Sequence, residues 1–213
     1  MNTLIVTGGT VNEEFLRKYL LQNKYNSIIA VDRGLEVLDE LNIKPNFIIG
    51  DFDSVDKEIL KRYENINIPI TYLKAEKDFT DTHEAIKLAI EIGSKEITII
   101  GAIGTRIDHS LSNIHILKET LDKNIMTKIV NENNIIMLIN KETTIEKNNK
   151  YKYISLIPLT TKTTGVSLKG FKYPLENATM DIGESIGISN EQIEDKATVI
   201  IKEGIAVLIF SKD

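Results

Sequence analysis

Asp32, Asp51, Asp53, Asp78, Asp81 and Asp108 each follow a short apolar run, directly or after a brief loop. Carboxylates placed this way suit a hard cation or a phosphorylated ligand. Asp51 and Asp53 form the sharpest pair. At i and i+2 after a strand they are expected to project to one side, where two carboxylates repel unless a cation or proton lies between them. The others also fit plainer roles: Asp32 can start a turn, and Asp81 or Asp108 can cap a helix. Two cations stand beside the acids, Lys77 before Asp78 and Arg106 two residues before Asp108. Arg106 offers a planar fork for phosphoryl oxygens, whereas Lys77 is a mobile point charge that fits a surface ion pair equally well.

With no cysteine and three histidines, any metal is expected on oxygen ligands, which points to Mg²⁺ or a similar ion. His109 lies beside Asp108, while His83 and His115 read as surface or packing residues. No Gly-x-x-x-x-Gly-Lys-Ser/Thr loop is present, and Gly8-Gly9-Thr10 follows the first apolar run where a Gly-x-Gly-x-x-Gly turn would stand. No serine or cysteine nucleophile elbow is recognisable. Carboxylates, a cation and an arginine without such a loop suggest phosphoryl or pyrophosphoryl transfer, with charge and positioning doing the catalysis.

These residues need a scaffold that delivers them to one rim. Strands are expected at 4–6, 27–31, 47–49, 70–73 and 97–100, and helices at 12–22, 35–41, 55–63, 80–92 and 110–121. The strands are continuous apolar runs, as when both faces are covered. Ala85, Ile86, Ala89 and Ile90 share one face of the fourth helix; Leu111, Ile114, Leu117 and Leu121 are the expected buried stripe of the fifth. Alternation of strand and helix implies an α/β fold with a mostly parallel sheet, whose ligands bind beyond the carboxyl ends of the strands.

After Met126 the helical period disappears. Strands are expected at 135–139, 153–158, 165–168, 197–202 and 205–210, the last two as a hairpin about Glu203-Gly204. This half reads as an antiparallel β-sandwich. The expected domains are therefore 1–125, α/β and nucleotide-binding, and 126–213, all-β.

The chain has 213 residues, 42% of them hydrophobic, enough for one large or two small domains with real cores. No apolar run approaches a membrane span. A net charge of −5 without basic runs argues against nucleic acid as the main partner. The start of the chain enters a strand-like run with no leader pattern, and cysteine is absent, so a cytoplasmic protein is expected.

Five blocks in order resemble the thiamine pyrophosphokinase family. They are Gly50-Asp-Phe-Asp-Ser54, Lys77-Asp-Phe-Thr-Asp-Thr-His-Glu84, Gly101-Ala-Ile-Gly-Thr-Arg-Ile-Asp-His109 with Asn113, Val166-Ser-Leu-Lys-Gly-Phe-Lys-Tyr-Pro-Leu175 and Gly187-Ile-Ser-Asn-Glu191. The resemblance implies an α/β domain followed by a β-sandwich, and transfer of the pyrophosphoryl group of ATP to thiamine with Mg²⁺. It also implies a homodimer whose sites lie between the α/β domain of one subunit and the sandwich of the other. Carried over, Asp51, Asp53 and Asp81 would hold Mg²⁺-ATP, with Lys77, Asp78 and Asp108 nearby, Arg106 on the phosphates and Asp32 on the nucleotide side. Ser189 and Asn190 would help hold thiamine. The chain departs from the family's pattern at Arg33, where Asp-Gly-Gly is frequent, and at Thr105, where Gly-Gly-Arg is frequent. An apolar strand ending in Asp-x-Asp also fits the haloacid-dehalogenase phosphatases, with Asp51 as nucleophile, and a non-catalytic ligand sensor would use the same residue types.

Overall fold

The apolar runs of the N-terminal half form strands covered on both faces by the amphipathic stretches between them. The computed structural model describes residues 1–74, 76 and 78–213, and the chain divides into two compact units, Met1–Glu132 and Asn133–Asp213. The first contains β1 (Asn2–Val6), α1 (Glu13–Gln22), β2 (Ser27–Val31), α2 (Gly34–Glu40), β3 (Phe47–Gly50), α3 (Lys57–Glu64), β4 (Ile70–Tyr72), α4 (Asp81–Glu91), β5 (Glu96–Ile100), α5 (Ile107–His115), α6 (Leu117–Asp122) and β6 (Met126–Val130). Its strands are all parallel, in the order β4-β3-β2-β1-β5-β6. Leu4, Ile5, Ile29, Ile48, Ile97 and Ile99 are completely or almost completely buried, which accounts for the unbroken apolar runs.

From β1 the chain winds outward through β2, β3 and β4, then returns to lay β5 on the other side of β1. The winding thus reverses between β1 and β5, and such a reversal opens a crevice beyond the carboxyl ends of the two strands. Side-chain caps fix where the helices begin. Asn12, Asp56 and Thr80 accept backbone N–H groups at the starts of α1, α3 and α4. Asp81 is therefore the first residue of its helix and not its cap. Asp108 lies in the first turn of α5, whose N-cap position is Arg106.

Three expectations need correction. The stretch 110–121 is two helices, broken at Ile116, and its buried positions are Ser110, Asn113, Leu117 and Thr120, with Leu111 53% exposed. The inward stripe is rotated because Ser110 and Asn113 bond the backbone of the loop after β5, a pull that hydrophobic periodicity does not register. Strands at Met126–Val130, Thr143–Glu146 and Leu175–Asp181 escaped the apolar pattern, being short or rich in Thr, Lys, Asn and Glu. Finally, the strands on either side of Glu203-Gly204 do not pair with one another.

The second unit contains β7 (Asn134–Ile139), β8 (Thr143–Glu146), β9 (Tyr153–Pro158), β10 (Lys162–Lys169), β11 (Leu175–Asp181), β12 (Lys196–Ile200) and β13 (Ala206–Ser211). One antiparallel layer is β7-β13-β9, the other β11-β10-β12-β8. Ile154, Leu156, Ala206 and Leu208 of the first layer share a core with Val166, Leu168, Met180, Ala197 and Val199 of the second. β12 and β13 thus belong to opposite layers. Gly204, at φ +96°, carries the chain between them, because burying both apolar strands against a common core is worth more than pairing them in one ladder. The expected boundary after residue 125 falls just before β6, and β6 itself extends the parallel sheet.

Candidate active site

The crevice at the winding reversal is a real cleft of about 670 Å³ in the first unit. The loop after β1 (Thr7 to Val11) and the loop after β5 (Gly101 to Arg106) form its walls, joined by Asp32, Arg33, Ser54, Thr80, Asp81, Thr82, His109 and Asn113. The two loops cross closely. A methyl group on Gly9 would lie 2.0 Å from the Gly101 carbonyl oxygen, so only glycine fits there. Among the described residues, the N–H groups of Gly8, Gly9 and Thr10 donate no hydrogen bond. A turn with unsatisfied amides at the carboxyl end of a central strand is suited to an anion.

The opposite wall is held by polar side chains from α5. Ser110 Oγ accepts the Gly104 N–H at 3.2 Å and lies 3.1 Å from the Arg106 carbonyl, to which it can donate. The buried Asn113 amide donates to the Ala102 carbonyl at 2.7 Å. Sequence reasoning gave Ser110 no role, and it read Asn113 only as part of a motif. The available signal was two polar residues three apart on a helix that follows a glycine-bearing loop.

Of the residues expected at the site, Asp32, Asp81 and Arg106 line the cleft. Asp32 adopts φ 47°, and its Oδ1 lies 3.4 Å from the Phe52 N–H, which links the end of β2 to the end of β3. Asp51 and Asp53 follow β3 but do not line the cleft wall, and they are not an extended i, i+2 pair. The intervening Phe52 is left-handed at φ 60°, buried, and packed edge-on against Tyr72 at 5.2 Å. Asp53 N–H donates to Asp51 Oδ1 at 3.1 Å, so the pair is set by a local turn. Asp78 is exposed on the approach to α4. Lys77 lies outside the described residues. Between Asp78 and Asp81, Phe79 packs under the Lys87 ammonium at 3.3 Å and edge-on to His83 at 4.8 Å. His83 Nε2 in turn lies 2.9 Å from Glu119, so this histidine is a packing residue as expected.

Arg106 and Asp108 face one another. Arg106 Nε and Nη2 donate to the two Asp108 oxygens at 3.2 and 2.6 Å, with both side chains largely exposed. The guanidinium, helped by the His109 backbone N–H, holds the Asp108 carboxyl well below the usual carboxylate range, at about 2. The folded state therefore favours the ionised form. Its contribution is fully present above the ordinary carboxylate pKa and is lost as pH falls through about 2. An NMR titration of the Asp108 carboxyl is expected to show a midpoint near pH 2, moving into the ordinary range in Arg106→Ala. A wild-type midpoint near 4 would show that the pair does not persist in solution.

Ser189 and Asn190 belong to the second unit. Ser189 is exposed and left-handed at φ 56°, with its N–H on Ser155 Oγ at 3.0 Å. Asn190 is buried, and its amide is occupied by backbone. Oδ1 accepts from Tyr173 and Glu191 N–H at 3.0 and 2.9 Å, and Nδ2 donates to the Tyr173 carbonyl at 2.7 Å.

A parallel α/β sheet with a glycine-walled cleft at its reversal, bordered by carboxylates and arginines, defines a phosphate-handling α/β protein. Comparison with known proteins narrows the class. Residues 18–129 match the family description "Thiamin pyrophosphokinase, catalytic domain", and residues 142–206 match "Thiamin pyrophosphokinase, vitamin B1 binding domain". Bacillus subtilis thiamine pyrophosphokinase is 37% identical over 186 residues, 87% of each chain. The crystal structure of the Bacillus subtilis thiamine pyrophosphokinase aligns over 100% of both chains with TM-score 0.90 and 31% identity. That of thiamin pyrophosphokinase from Geobacillus thermodenitrificans aligns at TM-score 0.88 and 32% identity, over 100% of this chain and 98% of the other. The chain belongs to the thiamine pyrophosphokinase family.

Proposed function

We propose that the protein transfers the pyrophosphoryl group of ATP to the hydroxyl of thiamine, giving thiamine diphosphate and AMP. The observation that carries this reading is the cleft at the β1/β5 reversal, whose lining draws on all three motif blocks of the first unit. In the reaction, a bond forms from the thiamine hydroxyl oxygen to the β-phosphorus. The bond from that phosphorus to the α-phosphate oxygen breaks, its electron pair leaves with AMP, and the hydroxyl proton passes to water or a rim carboxylate. There is little covalent work for the protein, so its task is to align the two oxygens and stabilise charge.

The unsatisfied amides of Gly8, Gly9 and Thr10 bind phosphate oxygens, and Asp32 lies on the nucleotide side. Arg106 reaches the phosphates from the loop after β5, next to Asp108, and in this reading Lys77 and Asp78 also serve nucleotide binding. Ser189 contacts thiamine, and Asn190 acts by fixing the Tyr173 backbone beside it.

Asp51, Asp53 and Asp81 are the residues we assign to Mg²⁺. Among the described residues, no three acidic or imidazole side chains form a ready-made metal group. Mg²⁺ binds proteins through one or two carboxylates and completes its shell with water and phosphate oxygens, so these hard donors fit it. Bound there, it would spread the charge of the triphosphate and of the departing AMP.

The reading includes a homodimer. Tyr173, Ile182, Ile186, Ile188 and Ile193 leave apolar side chains exposed in the segments flanking Ser189 and Asn190, a surface suited to burial against a second copy. No helix among the described residues is long and apolar enough to cross a membrane.

Product analysis after mixing the protein with Mg²⁺, ATP and thiamine tests the reaction. AMP is expected to appear in step with thiamine diphosphate. ADP with thiamine monophosphate would replace the pyrophosphoryl step by ordinary kinase chemistry. Free phosphate independent of thiamine would favour a phosphatase, and binding without turnover a sensor.

A further inference from the structure

The cleft has two arginines, and their hydrogen bonding differs. Arg106 directs two of its three nitrogens, Nε and Nη2, at Asp108, so its charge already faces a carboxylate through two bonds. Arg33, at the N-cap position of α2, also lines the cleft and uses only Nε, at 3.2 Å from Glu36 Oε2. Glu36 is itself held, since its Oε1 accepts the Asp56 N–H at 2.8 Å and its side chain is 19% exposed. A fixed carboxylate thus anchors the inner edge of the guanidinium. The outer edge, Nη1 and Nη2, makes no hydrogen bond or ion pair among the described residues. That edge is the fork that binds two oxygens of one phosphoryl group.

The position of Arg33 suits the role. Its Cβ lies 3.2 Å from where a methyl group on Gly8 would stand, so the residue rises beside the turn whose amides are unsatisfied.

We propose that Arg33 is a substrate-binding residue that grips the phosphate chain of the nucleotide through Nη1 and Nη2, next to the Gly8-Gly9-Thr10 amides. This rests on the cleft being the nucleotide site of the proposed reaction. It gives the bulky cation beside Asp32 a task that Arg106, paired to Asp108, is less free to perform.

Calorimetric binding of a non-hydrolysable ATP analogue and of adenosine, in the absence of thiamine, to wild type, Arg33→Met and Arg33→Lys tests the assignment. Removing a charged, forked contact is expected to weaken the ATP analogue roughly 10- to 100-fold. Adenosine should bind unchanged, and Arg33→Lys should fall between. In steady state, KM for ATP should rise while KM for thiamine and the unfolding midpoint stay at wild-type values. Equal weakening of adenosine and the ATP analogue, or a matching fall in the unfolding midpoint, would make Arg33 a structural residue or a base contact and overturn the proposal. Unchanged binding of the ATP analogue in Arg33→Met would overturn it as well. The two readings fail separately. Arg33-dependent binding of the ATP analogue without thiamine diphosphate formation by wild type would sink the reaction and keep the phosphate contact. Thiamine diphosphate formation by wild type, with turnover and KM for ATP both unchanged in Arg33→Met, would do the reverse.

Discussion

Asp53→Asn is expected to lower turnover by at least ~10²-fold, the scale of losing one major electrostatic contact in a transition state. The substitution isolates charge. The turn around Phe52 depends on the Asp53 backbone N–H reaching Asp51 Oδ1, and asparagine keeps that N–H. The Asp53 side chain is exposed, so its removal opens no core cavity. Its carboxylate makes no hydrogen bond or ion pair among the described residues, which leaves both oxygens available to a cation. The variant should therefore unfold at the wild-type midpoint, need more Mg²⁺ for half-maximal rate, and bind the Mg²⁺ complex of ATP more weakly by calorimetry. Full activity at saturating Mg²⁺ with an unchanged Mg²⁺ requirement would remove Asp53 from the metal set. Loss of activity with a lowered unfolding midpoint would instead mark it as a turn residue.

Gly9→Ala carries a large expected structural effect at the cleft. The added methyl would stand 2.0 Å from the Gly101 carbonyl oxygen and 3.0 Å from its carbon. Both are backbone atoms at the crossing of the two cleft loops, so no rotamer change relieves the contact. One loop must move. Overpacking of this kind typically costs about 1–3 kcal/mol, and a backbone clash belongs at the upper end. Urea denaturation should show that loss, and KM for ATP should rise because the displaced turn carries the unsatisfied amides. An unfolding midpoint within error of wild type, with unchanged KM, would mean the loops are not in contact in solution.

Much of this protein is decided locally. Continuous apolar runs such as Ser27–Val31 and Glu96–Ile100 become central parallel strands because strands covered on both faces need no alternation. Helix starts are equally local, since Asn12, Asp56 and Thr80 satisfy amides within their own first turns. The motif blocks around Asp51, Asp81 and Arg106 stand out in the sequence because their residue types serve chemistry better than packing.

Tertiary structure decided the rest. Hydrophobic periodicity turned α5 the wrong way, because Ser110 and Asn113 face inward to satisfy loop carbonyls whose positions depend on a strand pairing with β1. The apolar strands on either side of Gly204 read as a hairpin, yet a common core between two layers draws them apart. The crossing of Gly9 over Gly101 joins residues from two distant loops, and neither glycine announces its neighbour. The unequal bonding of Arg33 and Arg106 depends on where Glu36, Asp56 and Asp108 come to rest. Sequence sets which chemistry the chain carries and where its elements begin. Which charges stay available for a ligand is a property of non-local contacts, because each group is neutralised or left open only by the neighbours that folding brings to it.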